Sequence, residues 1–403
     1  MNFRVTLKLI AFQWLIVLIL GSSVISAAEI RVLNWQGYGT DEAWALEMFK
    51  ERTGIEVIHD YFNSEQEMLT KLRTNPGVYD VVLINSAYTG QAAKEGLIEA
   101  IDTKGMANVG DLSPGMRNDP KLVADGKTYG VAWVWGVTSF AVDSGDFQQT
   151  PNSIEALWDP KNAGRVGWRD DAVEAVQLAA VALGQDINNP SDLNAIREKL
   201  RALKPQIRTF WSSEDEWNQF FSANEFDLAT YWSGSASRSK NAFGLPVEFV
   251  LPKEGAIGWL DGLSIPKNAP NPNEAKAFIN FMIDPDFYVK WDTEVGAPTS
   301  ANAKAVSMLP ADAFNRTAFS DSKKVAKVQF MGPMEDALRE EIVELWQETK
   351  AYFQNYLISK FKQNNDFIIY YHSTANFFRI IQILLDQFLK YISGKNFHSV
   401  GMI

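Results

Sequence analysis

Short apolar runs of strand length alternate along this chain with stretches whose apolar residues recur three and four apart. Residues 30–34 read as a strand ending at Trp35-Gln36-Gly37-Tyr38. Thr40 is placed to cap a helix through Trp44, Leu46 and Phe49 to about Arg52, with Thr53-Gly54 as its stop. Residues 55–61 predict a second strand. Ser64-Glu65-Gln66-Glu67 then has the form of a capping box, and Met68, Leu69 and Leu72 make the helix behind it amphipathic. Residues 79–84 are apolar apart from Asp80, as in a strand buried on both faces. Strands alternating with helices at this spacing predict an α/β fold with a largely parallel sheet. Ligands of such sheets sit beyond the carboxyl ends of strands, here the loops at 34–38 and 85–88.

The pattern resumes after the aromatic segment Trp133-Val134-Trp135-Gly136. Helices are predicted at about 172–183 and 193–203, and strands near 227–231 and 247–251. Residues 258–266 read as a return crossing, and 274–283 as a further amphipathic helix. Neither a repeat nor a low-complexity linker interrupts the chain, as expected if it crosses more than once between two lobes. The first residues have the form of a secretory signal. Arg4 and Lys8 are followed by the apolar stretch 9–20, broken only by Gln13, and by Ser26-Ala27-Ala28. Residues 357–403 change character, with more Phe, Ile, Lys and Asn. Their best helix, 377–392, carries Arg379, Gln382, Asp386 and Lys390, which deny it a membrane-spanning role. That segment is read as an accessory helix or an unselected tail, and no function is assigned to it.

Composition narrows the chemistry. With 38 basic and 49 acidic residues the net charge is −11, which argues against a nucleic-acid binder. The absence of cysteine excludes disulfides, thiol nucleophiles and Cys-type zinc sites. Only three histidines occur, His59, His372 and His398, too few for a His-rich metal site. No phosphate loop or G-x-S-x-G elbow is present. The Asn315-Arg316-Thr317 sequon is read as chance.

Two constellations remain. Tryptophans fall at strand ends: Trp35 with Tyr38 after the first, Trp232 after a later one, and Trp259 two residues from Asp261. Residues two apart on an extended segment face the same side, so an aromatic face and a carboxylate would share one space. An aromatic face attracts a cation by about 0.5–2 kcal/mol, and a carboxylate adds a charge-assisted hydrogen bond of roughly 1.5–3 kcal/mol. Together they suit an alkylammonium, although most of the 13 tryptophans belong to the core. The second constellation is Arg169-Asp170-Asp171-Ala172-Val173-Glu174, in which Asp171 and Glu174 share one helix face. They are either caps at a helix start or the anchor of a second ammonium. A glycosidase pair, which faces across the scissile bond from separate elements, fits them poorly.

These residues resemble those of the periplasmic spermidine/putrescine-binding proteins of ABC importers. The likeness covers about residues 29–356. It is carried by VLNWQGY (32–38), FKERTGIEVIHDYFNSEQEMLTKL (49–72), YDVVLINSAY (79–88), KEGLIEAID (94–102), YGVAWVWGVTS (129–139), WRDDAVEAVQLA (168–179), YWSGSAS (231–237), LPKEGAIGWLDGLSIPKNAPN (251–271) and EAKAFINFMIDP (274–285). The resemblance implies a two-lobed periplasmic binding protein fold of type II. Each lobe would be a mixed, mostly parallel sheet flanked by helices, with the ligand in the interlobe cleft. The signal would be residues 1–28, lobe 1 residues 29–132 plus 262–299, lobe 2 residues 133–261 plus 300–356, and 357–403 an extension. It implies cleft aromatics and acids at Trp35, Tyr38, Asp171, Glu174, Trp232, Trp259 and Asp261, with polar support from Gln36, Asn85, Ser86, Ser212 and Gln329. Two family tyrosines are replaced, by Ala87 beside Tyr88 and by Ala297 in Gly296-Ala297-Pro298. The implied role is a periplasmic, monomeric, non-enzymatic receptor without cofactor. It would bind a polyamine, a putrescine- or spermidine-like cation, and pass it to a membrane permease and, indirectly, its ATPase subunit. The alternatives are a receptor for an amino acid, opine or sugar on the same fold, a sensory component, or a secreted glycan hydrolase.

Overall fold

The computed structural model describes residues 28–319 and 321–364. The expected signal and the helix at 377–392 lie outside the described residues. The chain divides into two compact units, residues 1–346 and 347–403.

Within the first unit the predicted alternation is present. Strand β1 (Glu29–Asn34) is followed by α1 (Ala43–Thr53), β2 (Glu56–Tyr61), α2 (Glu65–Thr74), β3 (Val81–Asn85) and α3 (Ser86–Lys94). After a loop region come the long β4 (Val131–Asp143), β5 (Val166–Arg169), α4 (Ala172–Leu183), α5 (Leu193–Ala202) and β6 (Ile207–Trp211). The chain continues through α6 (Glu214–Ser222), β7 (Leu228–Trp232), α7 (Ser233–Asn241), β8 (Val247–Val250) and β9 (Ile257–Pro266). Helices α8 (Pro272–Met282) and α9 (Pro285–Glu294) follow, and α10 (Asp336–Asn364) ends the described chain.

A twelve-stranded sheet carries these elements in the order β2-β1-β3-β9-β4-β7-β5-β6, with β8 on β4. Pairing is parallel in the two outer blocks, β2-β1-β3 and β7-β5-β6. The central pairs β3-β9, β9-β4 and β4-β7 are antiparallel. Two long strands thus join two parallel α/β blocks. Each block has its own apolar cluster, one built on Val32, Leu33, Val82, Leu83 and Phe278, the other on Trp211, Trp217, Phe226 and Tyr231.

Local chemistry explains the element ends. Thr40 does not cap α1. Glu42 holds that position without a side-chain bond, because the Thr40 hydroxyl accepts from Asn34 Nδ2 at 2.8 Å, which closes the loop after β1. Ser64 caps α2 as expected by accepting from Glu67 N–H, while Glu67 reaches back to Asn63 N–H rather than to that of Ser64. Asp171 caps α4, accepting from Glu174 N–H at 2.9 Å. The sequon residue Asn315 is buried and donates to Asp292 Oδ1 and to the Ala297 carbonyl.

The pairing of β9 with β4 shifts register between Asp261 and Gly262, leaving Trp133 as the extra residue. Such bulges re-aim side chains beside functional sites. Here the bulge seats Trp133 in the core. Its Nε1 donates to the Met282 carbonyl at 3.0 Å, and its ring stacks on Trp291 at 5.5 Å.

Candidate functional site

Two clusters form at the carboxyl ends of the strands. The first is centred on Asp261, at the β9 bulge and opposite Asn85 in register. Tyr38 donates its hydroxyl to Asp261 Oδ2 at 2.9 Å, and Asn85 Nδ2 donates to Oδ1 at 3.1 Å. The Tyr38 ring is held edge-on against Trp133, 5.6 Å between centroids, so the bulge also fixes the phenol. Asn85 is fixed at its other end, where its carbonyl oxygen caps α3 by accepting from Ala87 N–H. Asp261 is only 7% exposed, and burial raises its pKa to about 6 against the bonds from Tyr38 and Asn85. Burial and the Asp261 charge together push the Tyr38 phenol well up.

Glu65 belongs to this cluster. Burial, then the neighbouring Asp261, raises its carboxyl to about 8, against a backbone bond from Asn85. Its Oε2 is buried without a partner. In the sequence this residue is legible only as part of a helix start, because acids in a first turn carry the same letters whether or not they face a site. A buried and a half-buried carboxyl group therefore stand here side by side with neutral donors, and among the described residues no Lys or Arg is bonded to them.

Glu65 supplies a stability prediction. Its folded pKa lies above the unfolded value, so the unfolded state binds fewer protons between pH 4.5 and 8 and stability falls as pH rises through that window. Glu65→Gln is expected to match the wild type in melting temperature at pH 4.5 and to exceed it progressively up to pH 8.5. A constant difference across that range would remove the buried acid from the account.

The second cluster joins β5, α4 and β7. Glu174, 8% exposed, accepts on Oε2 from Arg169 Nη1 and from Trp232 Nε1, the latter at 3.2 Å. Arg169 also lies 3.7 Å from Asp171, and its guanidinium carbon sits 4.6 Å from the Trp232 ring centroid. Burial raises the Glu174 pKa while Arg169 opposes it; burial lowers that of Arg169, but Glu174 and Asp171 hold it above its ordinary value. Arg169 was legible only as the residue before the acids; its seat on Trp232 was not.

Trp259 stands two residues before Asp261 on β9. Its partner in register is Gly136, and Trp232 pairs with Thr138 two residues along. A Cβ on Gly136 would lie 2.5 Å from the Trp259 ring and 2.7 Å from Ser233 Oγ, so the indole lies across the bare glycine toward the start of α7. The Trp259 Nε1 is buried without a partner.

The other sequence-derived positions are more dispersed. Trp35 is half-buried, edge-on to Phe62 at 4.7 Å, and Gln36 is exposed in the turn. Ser86 opens α3 with a buried, unpartnered hydroxyl. Ser212 is exposed and donates its N–H to Glu216. The Gln329 amide is engaged at both ends by backbone, accepting from Ile187 N–H and donating to the Gln185 carbonyl. Tyr88 does not stand in for the residue replaced by Ala87. It is buried and its hydroxyl accepts from Arg339 at 2.8 Å. Ala297 is fully buried. Two further charges went unread in the sequence. Arg238 on α7 pairs through Nε and Nη2 with Glu214 at the start of α6, while its Nη1 is buried without an acceptor.

The family of bacterial extracellular solute-binding proteins matches residues 44–318. The spermidine/putrescine-binding periplasmic protein of Salmonella typhimurium LT2 is 33% identical over 327 residues, 79% of this chain and 92% of that protein. Its Escherichia coli K12 counterpart is 33% identical over 317 residues, covering 76% and 88%. Among solved structures, the spermidine/putrescine transporter substrate-binding protein of Streptococcus pneumoniae superposes with a TM-score of 0.72 at 23% identity, over 81% of this chain and 99% of that one. The fold is therefore the mixed α/β fold of periplasmic binding proteins, and no helix among the described residues is long and apolar enough to cross a membrane. By sequence and by fold, the chain belongs to the bacterial extracellular solute-binding protein family.

Proposed function

We propose that this chain is the periplasmic receptor of an ABC importer for an aliphatic amine related to the polyamines, and not an enzyme. The observation that carries the reading is Asp261, a buried carboxylate beside a second acid, Glu65, with an indole two residues away and, among the described residues, no Lys or Arg bonded to either. Leaving charge buried without a counterion is costly, and an incoming ammonium removes that cost. The family membership and the binding roles named for the Salmonella and Escherichia relatives support the same class. Glu174 and Asp171 lie within one helical turn and share Arg169, an arrangement without the facing geometry of a hydrolytic pair.

In this reading the lobes are residues 29–132 plus 262–299 and 133–261 plus 300–356. The bulge at Asp261 and Trp133 falls at the crossings of two connecting strands, which suits a hinge. Ligand bridging the lobes shifts the equilibrium to a closed form that a permease and its ATPase recognise. Residues 1–28 direct the monomeric receptor to the periplasm and are removed.

Thermal unfolding of residues 29–403 with putrescine, cadaverine, spermidine, spermine, 4-aminobutan-1-ol and a set of sugars tests the class. A ligand at 100 times its Kd adds about 2.7 kcal/mol. A rise in melting temperature with an amine and none with sugars is expected. A rise with a sugar alone would overturn the proposal.

A further inference from the structure

The two acid clusters differ in one respect that bears on what the site accepts. Asp261 and Glu65 are bonded by neutral groups only. Glu174 and Asp171 already have a cation. The Arg169 guanidinium lies over the face of Trp232 at 4.6 Å, donates to Glu174 Oε2 and stays within 3.7 Å of Asp171. An aromatic face with two carboxylates at its rim is the environment an alkylammonium would seek, and here a side chain of the protein fills it. Arg169 comes from the last residue of β5, while the acids occupy the N-cap and first turn of α4, so the backbone itself delivers the guanidinium to this place. Trp232 reinforces the arrangement by donating its Nε1 to the same Glu174 oxygen.

We propose that Arg169 is a resident cation in the second ammonium subsite, so that the ligand presents one ammonium, to Asp261, and carries no second positive charge at its far end. This rests on the amine reading above and narrows it from di- and polyamines to monoamines whose far end is neutral or accepts hydrogen bonds. A dication would have to expel a half-buried guanidinium from two carboxylates and an indole, or place its second ammonium against it. Arg238 adds to the same bias. Its charge acts on the Tyr38 phenol, and its buried Nη1 lacks an acceptor that a hydroxyl or carboxylate could supply.

The test compares putrescine with 4-aminobutan-1-ol, which has the same length but a hydroxyl in place of one ammonium, by titration calorimetry on residues 29–403. The aminoalcohol is expected to bind at least as tightly as putrescine. Arg169→Met, which frees the acids, is expected to tighten putrescine at least tenfold and to leave the aminoalcohol within threefold. A wild-type preference for putrescine of tenfold or more would overturn the inference while sparing the amine reading, because the guanidinium would then yield to the ligand. That comparison needs no variant. Binding of neither compound at 10 mM, to wild type or variant, would overturn the inference and the amine reading together.

Discussion

Asp261→Asn is expected to lose at least tenfold in affinity for its amine while melting several degrees higher than the wild type at pH 7.5. Both effects come from one feature, a carboxylate held out of water by Tyr38, Asn85 and the β9 bulge. For binding, the carboxylate is the only charged group of the cluster fixed on both oxygens, and removing one partner of a desolvated charge pair costs roughly 2–5 kcal/mol. For stability the sign reverses. Burial raises the folded pKa from 3.8 to about 6, so in that window the unfolded chain has released a proton that the folded chain retains. Stability therefore falls as pH rises from 3.8 to 6, and the cost is complete above 6. At 1.36 kcal/mol per pKa unit the shift corresponds to about 3 kcal/mol, which Asn would relieve at most. Calorimetric titration and melting curves at pH 4 and 7.5 check both. Loss of binding together with a lower melting temperature at pH 7.5 would mean that the carboxylate is structural.

Gly136→Ala is expected to impair fold and site together. The added methyl would stand 2.5 Å from the Trp259 ring and 2.7 Å from Ser233 Oγ, on strand β4 between two paired strands. Neither neighbour is free to retreat. Ser233 Oγ accepts from Val137 N–H at 3.1 Å, and Trp259 is held in register opposite residue 136. Overpacking of this kind typically costs about 1–3 kcal/mol. If the indole gives way, the wall beside Asp261 moves, so amine affinity is expected to fall about tenfold with a change in tryptophan emission. Unchanged stability and affinity would show that Trp259 does not lie across residue 136.

Much of this is legible in the sequence. The predicted helix at 172–183 is α4, and most other expected elements fall within a few residues of those observed, because half-buried helices and fully buried strands leave different periods in the sequence. That Trp259 and Asp261 share one strand was legible from their spacing. What the sequence did not display were long-range choices of partner. The Glu65 letters are those of any first turn, and its approach to Asp261 spans the sheet. Asp171 is the cap of α4, as one of its two readings had it, and it also lies 3.7 Å from Arg169. Arg169 precedes two acids, a common surface pattern. Only the turn from β5 into α4 places it on Trp232, far along the chain. Thr40 fits a cap by type and spacing, yet the loop after β1 offered it Asn34 instead.

The most direct test of the central claim, that an uncompensated buried acid at Asp261 draws in the amine, is the pH dependence of wild-type binding. Titrations of 4-aminobutan-1-ol and putrescine between pH 5 and 7.5 keep both amines fully charged, so any change belongs to the protein. With the Asp261 carboxyl at about 6 in the free protein, the dissociation constant is predicted to rise about tenfold from pH 7.5 to pH 5 for whichever amine binds. An affinity that stays flat across that range would contradict the account, since the ammonium would then be held by groups that do not titrate there.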